Sequence, residues 1–486
     1  MLFVYDDSAA VPPAIRQTIG ADRIGDVLTR KRRLAELVED MVRESPVAFQ
    51  FVRIGNEAER AALIDRLERL ADDTPIFRLP SCLMPGNRWQ FAVTLRKLPY
   101  APGPATFGRR YDDEQVALLR RADLLRLLAI RDAGERRAFF AAFGETALPV
   151  GDAMAVTDLR GIGAFLGYMS GATEARHFNA VDIAGGVFRK SSSDVAKMRG
   201  EYRYFHVVPE PMRRFLIPTF DWEEADGRAS YAMEHLAVPD AAIQIVHKSF
   251  DPGSFSLLLD RFFDFVRTRA TVDADRATMR DAAHAATIGK TERRLGELRD
   301  TDVGRRLDAL LAAGGPYGGL VAMEGRARDL IARCLDTDRH ARLAVSHGDP
   351  CLSNILFNRD IGLFRLIDPR GATVLDEAVM HPLYDVAKFS HSILGGYDFI
   401  NNGLFETQLD DTLHLRLTLD GDGPPDWMRD AFRQRLAAEG FDLRLVRAFE
   451  LSLFLSMLPL HIDIPRKLPA FCLTACAIMH ELEEAL

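Results

Sequence analysis

The stretch HGDPCLSNILFN (347–358), followed closely by FRLIDPRG (364–371), decides how this chain reads. It sets Asp349, then Asn354 five residues on, then Asp368 fourteen beyond that, with strand-forming residues between the last two. NILF (354–357) and LFRLI (363–367) flank NRDIG (358–362), and Asn, Asp and Gly between two apolar runs are a hairpin signature. Antiparallel strands joined by a short turn bring their outer ends side by side. Asn354 and Asp368 are therefore expected to meet at one end of the hairpin, with the loop carrying Asp349 arriving from just upstream.

Such a set of oxygen donors has a chemical use. Mg²⁺ takes hard oxygen ligands, commonly one or two side chains plus the phosphates of a nucleotide, and Asn354 and Asp368 suit that role. A nearby carboxylate not consumed by the metal can orient a substrate hydroxyl and accept its proton as a phosphoryl group arrives; Asp349 is the candidate. A lone Asp in a loop is ordinarily a turn former, and His347 alone would be an ordinary structural histidine. The combination carries the argument: the Asp-to-Asn step matches that of the kinase catalytic loop, and IDPRG stands where DFG would.

On these two motifs the chain resembles the aminoglycoside phosphotransferase and choline kinase superfamily, which has a protein-kinase-like fold. RHFNAVDIAGGVFRKSSSDVAKMRGEYRYFHVVP (176–209) is similar to phosphotransferases of bacterial capsule and surface-polysaccharide loci, some of which carry a nucleotidyltransferase domain in front. The resemblance implies ATP and Mg²⁺ as cofactors, an upstream Lys for the α and β phosphates, and a helix Glu that holds it. Lys190, on the second strand of the AGGVFRK hairpin, has the position of the first, with Arg189 and Lys197 as rivals; Glu201 has the position of the second. Phe205 and Val208, four and seven residues on, put Glu201 on an apolar helix face, where a charge needs a partner. MEHL (233–236) is similar to the linker where adenine meets backbone groups, which singles out Glu234 to Leu236. No G-x-G-x-x-G loop covers the phosphates; only SGATEAR (170–176), with Gly171 or Ser170, and the Gly-Gly turn (185–186) are available. The step from Asn354 to Asp368 is about a residue longer than the family's, which a turn insertion absorbs. Asp385, in HPLYDVAKFSHS (381–392), is expected to tie the catalytic loop structurally.

With 486 residues the chain exceeds one ordinary core, so two or three domains are expected. A net charge of −8 repels a polyphosphate backbone, and nucleic acid is not expected as a partner. RKRR (30–33) sits in a helical pattern and reads as a solvated helix face. Five cysteines, an odd number, argue for reduced thiols and a cytoplasmic protein. MLFVYDDSAAVPP (1–13) lacks the basic start and apolar stretch of a signal peptide. LSLFLSMLPLHI (451–462) is shorter than the roughly 20 residues of a spanning helix, so no membrane span is expected.

The expected fold is α+β: a bilobal protein-kinase-like fold, with a small β-rich lobe over 160–236 and a helical lobe over 237–486, preceded by an α/β domain over 1–159. In that first domain, strands at LFVY, AFQFVRI and TPIFRLP alternate with helices at EAERAALIDRLERLA (57–71), DEQVALLRRADLLRLLAI (113–130) and AGERRAFFAAF (133–143). FVYDDS (3–8) ends a strand in two carboxylates. It has neither the Gly-rich, Arg-containing opening of sugar nucleotidyltransferases nor the DxDxT of haloacid-dehalogenase phosphatases. A degenerate nucleotidyltransferase-like module for scaffolding or recognition is expected.

The function these readings support is ATP- and Mg²⁺-dependent phosphoryl transfer to a hydroxyl of a small molecule, a sugar or polyol-like metabolite connected with surface polysaccharide. The alternative is a nucleotide-binding regulator or assembly protein with little turnover, and a third reading is nucleotidyl transfer. Choline suits less well because Trp89, Trp222 and Trp427 are dispersed and form no visible aromatic cage. LHIDIPRK (460–467), with His461, Asp463, Arg466 and Lys467, reads equally as a substrate loop or a solvated one. Cys472, Cys476 and His480 recur at four and read as a buried stripe rather than a metal site.

Overall fold

Five consecutive buried residues, Leu2–Asp6, make strand β1, and burial along every residue marks a strand covered on both faces. The computed structural model describes residues 1–29, 31–108, 113–150, 154, 156–171, 179–184 and 186–486, the side chains of 170–171 and 179–184 excepted. They form two units, Met1–Thr173 and Glu174–Leu486.

In the first unit β1 lies in a six-stranded sheet with β2 (Gln50–Ile54), β3 (Pro75–Pro80), β4 (Ala105–Phe107), β5 (Val116–Arg120) and β6 (Leu148–Val150), in the order β2-β1-β3-β5-β4-β6. β1 runs parallel to β2 and β3; β5 is antiparallel to both its neighbours. The pleat sorts β1 by alternation. Leu2 and Val4 face a cluster with Ile76, Leu119 and the helices α1 (Glu57–Leu67) and α2 (Arg121–Ala129), while the Phe3 ring sits 5.3 Å from that of Phe77 and 6.3 Å from that of Phe91.

Two expectations fail here. The stretch 113–130 is not one helix: VALLR is strand β5, and the helix begins only at Arg121. A continuous apolar run fits a sheet covered on both faces as well as it fits a buried helix, and the sheet wins because β3 and β4 supply backbone partners on either edge. RKRR is not a helix face either. Arg32–Arg33 pairs with Leu28–Thr29 as a small hairpin, and the helix starts at Leu34.

The units divide after Thr173 rather than after residue 159, because helix α3 (Ile162–Gly171) packs against the Val156–Asp158 strand and the Pro13–Ile19 helix of the first unit.

The second unit opens with the antiparallel sheet β7 (Asn179–Ala184), β8 (Val187–Ser192), β9 (Thr219–Ala225) and β10 (Arg228–Glu234), in the order β7-β8-β10-β9. Helix α4 (Val195–Val207) crosses it, capped by the Asp194 carboxylate, which accepts the Lys197 N–H at 3.0 Å. Met198 on its inner face joins Ile217, Ala229, Tyr231 and Met233 in the core beneath the sheet.

The rest is mostly helical and includes α5 (Pro252–Thr268). α8 (Leu443–Ser456) is buried from Leu445 to its end, and α6 (Ile288–Arg299), α7 (Leu383–Ile393) and α9 (Lys467–Ala485) pack around it. The hairpin β11 (Ile355–Asn358) and β12 (Leu363–Leu366) forms as its sequence demands. Among the described residues no helix is long and apolar enough to cross a membrane.

Candidate active site

The hairpin does to its ends what antiparallel pairing requires. Asn354 closes a short 3₁₀ turn just before β11, Asp368 follows β12, and the Ile367 N–H donates to the Asn354 carbonyl at 3.0 Å. The Asn354 side-chain N–H donates to the Asp349 carbonyl at 2.9 Å. That bond spends the amide nitrogen on the loop and leaves the amide oxygen as the group on offer.

Asp368 adopts a left-handed backbone, φ 52°. Its carboxylate accepts from Lys190 Nζ at 2.9 Å, and the same ammonium donates to Glu201 at 2.7 Å. Lys190 comes from β8 and Glu201 from α4. The Tyr231 hydroxyl also donates to Glu201, at 3.0 Å, and Lys197 approaches it at 3.5 Å. Burial alone would lower the Lys190 pKa, but Asp368 and Glu201 reverse it and hold the ammonium above its ordinary value. Burial likewise works to raise the Asp368 carboxyl, and Lys190 and then Lys197 outweigh it, so its pKa is lowered.

Gly371 explains how Glu201 reaches this loop. Its φ is +91°, and a Cβ there would lie 2.8 Å from the Gly200 backbone. The loop after Asp368 therefore docks directly on α4, where the Ala372 N–H donates to the Gly200 carbonyl at 3.0 Å.

Asp349 is half-buried, and its carboxylate pairs with Lys388 of α7 at 2.8 Å. Burial raises its pKa, Lys388 lowers it more, and the result is a carboxylate held below its usual range. Asp385, one turn earlier on α7, is fully buried and accepts the N–H groups of His347 at 3.0 Å and Gly348 at 2.9 Å. Arg269 anchors it from behind at 3.2 Å. The loop bearing Asp349 is thus fixed by its backbone, as expected of Asp385.

Lys190, Glu201 and Asp368 therefore form one linked group, while Asp349 and Asn354 are linked to each other and, through the Ile367 bond, to the approach to Asp368. The rivals separate: Arg189 turns to Asp221 and Glu223 on the outer face, and Lys197 stays half-exposed. Glu234 is exposed at the end of β10, and Leu236 joins Phe188, Leu356 and Ile367 against the core beneath the sheet. Both line a cavity of about 260 Å³ with Ile217, Leu363 and Arg365. Gly171 ends α3 in the first unit, and the stretch 172–178 after it lies outside the described residues, as does Gly185 of the Gly-Gly turn.

Sequence reasoning missed Lys388, Arg269 and Tyr231. Only Lys388 left a local sign, one turn after Asp385 on the same helix. Elsewhere, Cys472 and Cys476 are buried core residues, whereas His480 is exposed beside Glu484. His461 and Lys467 are buried rather than solvated, with Lys467 Nζ donating to the Asn401 carbonyl at 2.6 Å.

The donor set fits a nucleotide and a hard cation. A carboxylate and an amide oxygen stand at the end of one hairpin, and an ammonium is already bonded to that carboxylate.

No family model matches the sequence, and no curated protein does. Among solved structures the chain is similar to a thermostable mutant of aminoglycoside phosphotransferase APH(4)-Ia in ternary complex with AMP-PNP and hygromycin B, at 13% identity and TM-score 0.40 over 63% of this chain and 91% of that one. It is similar to an aminoglycoside-3'-phosphotransferase of type VIII at 13% identity and TM-score 0.32, over 61% and 94%. Aminoglycoside phosphotransferase APH(3'')-Id from Streptomyces rimosus, in complex with ADP and streptomycin, shows 17% identity and TM-score 0.30 over 58% and 92%. At such distances the chemistry of this site rests on its own geometry.

Proposed function

We propose that the chain is an ATP- and Mg²⁺-dependent phosphotransferase of protein-kinase-like fold, acting on a hydroxyl of a small molecule. The observation that carries this is the position of Lys190, bonded at once to Glu201, 11 residues away, and to Asp368, 178 residues away. A buried ammonium shared between a helix carboxylate and a hairpin-end carboxylate suits the phosphates of a nucleotide whose Mg²⁺ would be held by Asp368 and Asn354.

When bound, Mg²⁺ would supply neutralisation of phosphate charge. The chain's own residues do the rest. Asp349 accepts the acceptor hydroxyl's proton, Lys190 with Glu201 positions the triphosphate, and Asp385 holds the loop so that little reorganises during transfer. The apolar surface at Phe188, Leu236, Leu356 and Ile367 suits an adenine ring. The acceptor we infer is a sugar or polyol-like metabolite. The likeness of 176–209 to phosphotransferases of surface-polysaccharide loci supports that setting, with the first unit as a scaffold or recognition module.

The test is a metabolite screen with Mg-ATP and mass analysis of products. A gain of about 80 Da on a hydroxyl compound is expected for phosphoryl transfer. Label from the α-phosphate on the product would mean nucleotidyl transfer instead. Nucleotide-dependent stabilisation without turnover across the panel would favour a regulator.

A further inference from the structure

Helix α7 turns Tyr384, Lys388 and His391, spaced by four and three residues, to the side where Asp349 lies. Lys388 pairs with Asp349, and the Tyr384 hydroxyl meets Lys290 Nζ of α6 at 2.7 Å. Arg370 stands beside them. It is exposed, and its stem lies so close to Gly348 that a Cβ at 348 would come within 2.6 Å of it.

Around Tyr384 and Lys388, the partner of Asp349, the protein thus gathers two further cations, Lys290 and Arg370. Among the described residues neither Lys290 nor Arg370 has a carboxylate partner. The surrounding groups register the excess. Burial raises the Tyr384 phenol, yet Lys388, Lys290 and Arg370 together bring it below its ordinary pKa. Burial lowers the Lys290 pKa, and Lys388 and Arg370 repel it further. His391 is pushed down to about 3 by burial and by Lys388, so it adds no charge near neutral pH.

A partly buried ammonium without a counter-ion is costly, and two uncompensated cations beside the catalytic carboxylate would repel a cationic acceptor. They would gain nothing from a neutral polyol. An anion entering the same space satisfies both, and positive fields of this kind also draw anionic substrates in.

We infer that the acceptor is itself an anion: a hydroxyl compound carrying a phosphate or carboxylate group, held by Lys290, Arg370 and the Tyr384 hydroxyl while its reacting hydroxyl lies at Asp349. The inference rests on the phosphotransferase reading and narrows its substrate class.

The test is calorimetric binding with saturating Mg-AMP-PNP, which fills the triphosphate positions and so removes the γ-phosphate as a competing explanation. The probes are matched pairs, glucose 1-phosphate against glucose and glycerate against glycerol; the two pairs distinguish phosphate from carboxylate. The anionic member of at least one pair is expected to bind tenfold or more tightly than its neutral partner. Lys290→Met should abolish that preference, and the exposed Arg370→Gln, which carries little folding risk, should reduce it several-fold. Both should keep the AMP-PNP-induced thermal shift. Equal binding of neutral and anionic members, no anion binding, or a preference untouched by both substitutions would overturn the inference. If AMP-PNP does not bind, the phosphotransferase reading fails while the same titrations on ligand-free protein still decide this one.

Discussion

Two pairs of carboxylates in this chain, one at the end of β1 and one beside the β11–β12 hairpin, have opposite fates. In the first unit β1 runs out into Asp6 and Asp7, whose side chains are 4% and 0% exposed. Asp6 is gripped by Arg78, itself fully buried, with Nε at 2.9 Å, and Asp7 by Arg53, with the Gly25 N–H closing on it at 3.0 Å. In the second unit Asp349 and Asp368 keep 39% and 46% of their side-chain surface, and each has a lysine partner. The difference is chemical. A guanidinium presents a fixed fork that matches a carboxylate and locks it, whereas an ammonium is a point charge on a flexible stem that can turn to an incoming phosphate. Burial would raise the Asp6 carboxyl, yet Arg78, Ser8 and Arg136 bring it down to about 2, leaving an anion already neutralised by arginine. Carboxylates become a site only where their partners can be exchanged and solvent still reaches them.

The largest effect is expected at Asp349. Asp349→Asn keeps the shape and removes the proposed base, and loss of a positioned general base costs about 10²- to 10⁴-fold in rate. Turnover of Mg-ATP with an accepted acceptor should fall by that much, while the thermal midpoint falls only by what the half-exposed Asp349–Lys388 pair contributes. Asp6 should show the reverse. Asp6→Ala strands the buried Arg78 beside Glu114 alone, and breaking a buried pair costs about 3 to 5 kcal/mol. Denaturant unfolding should register that loss, while turnover per folded molecule stays at the wild-type level. If Asp6→Ala abolished turnover without loss of stability, the contrast between the two pairs of carboxylates would collapse, and the first unit would hold chemistry of its own.

Legibility in the sequence followed the range of the interactions. The β11–β12 hairpin was readable because turn chemistry and strand pairing act within a dozen residues, and they dictate where Asn354 and Asp368 stand. The pairing of Lys190 with Glu201 came from resemblance, and the bond of Lys190 to Asp368 was not foreseen, since nothing near either residue encodes a contact 178 residues away. Lys290 was invisible, and Lys388 left only its spacing from Asp385, for a related reason: a lysine on a helix reads as solvated unless the partner across the fold is known. In the first unit, VALLR misled because a doubly covered strand and a buried helix share an apolar run, and only the neighbouring strands decide. The phosphate-covering segment, expected at Gly171, falls next to residues that are not described.

The smallest effect tests the exchangeable lysine itself. Asp349 keeps a lowered pKa because Lys388 outweighs burial. Removing the ammonium in Lys388→Met takes away the largest influence opposing burial, so the carboxyl must titrate higher. The acid limb of the kcat profile should move up accordingly, because the base is ionised only above its own pKa. The stability sign agrees. A carboxylate with a depressed folded pKa contributes stability above its unfolded value, about 3.9, and loses it as pH falls through the folded one. In Lys388→Met that contribution disappears, so the variant is less stable than wild type near neutrality and the gap closes in acid. Lys388→Arg restores the charge and should return the limb toward its original place. A limb that stays put in Lys388→Met would mean that Asp349 does not depend on this pair in solution, and the distinction between a locked and a tunable carboxylate would then have to rest on Lys190 and Asp368 alone.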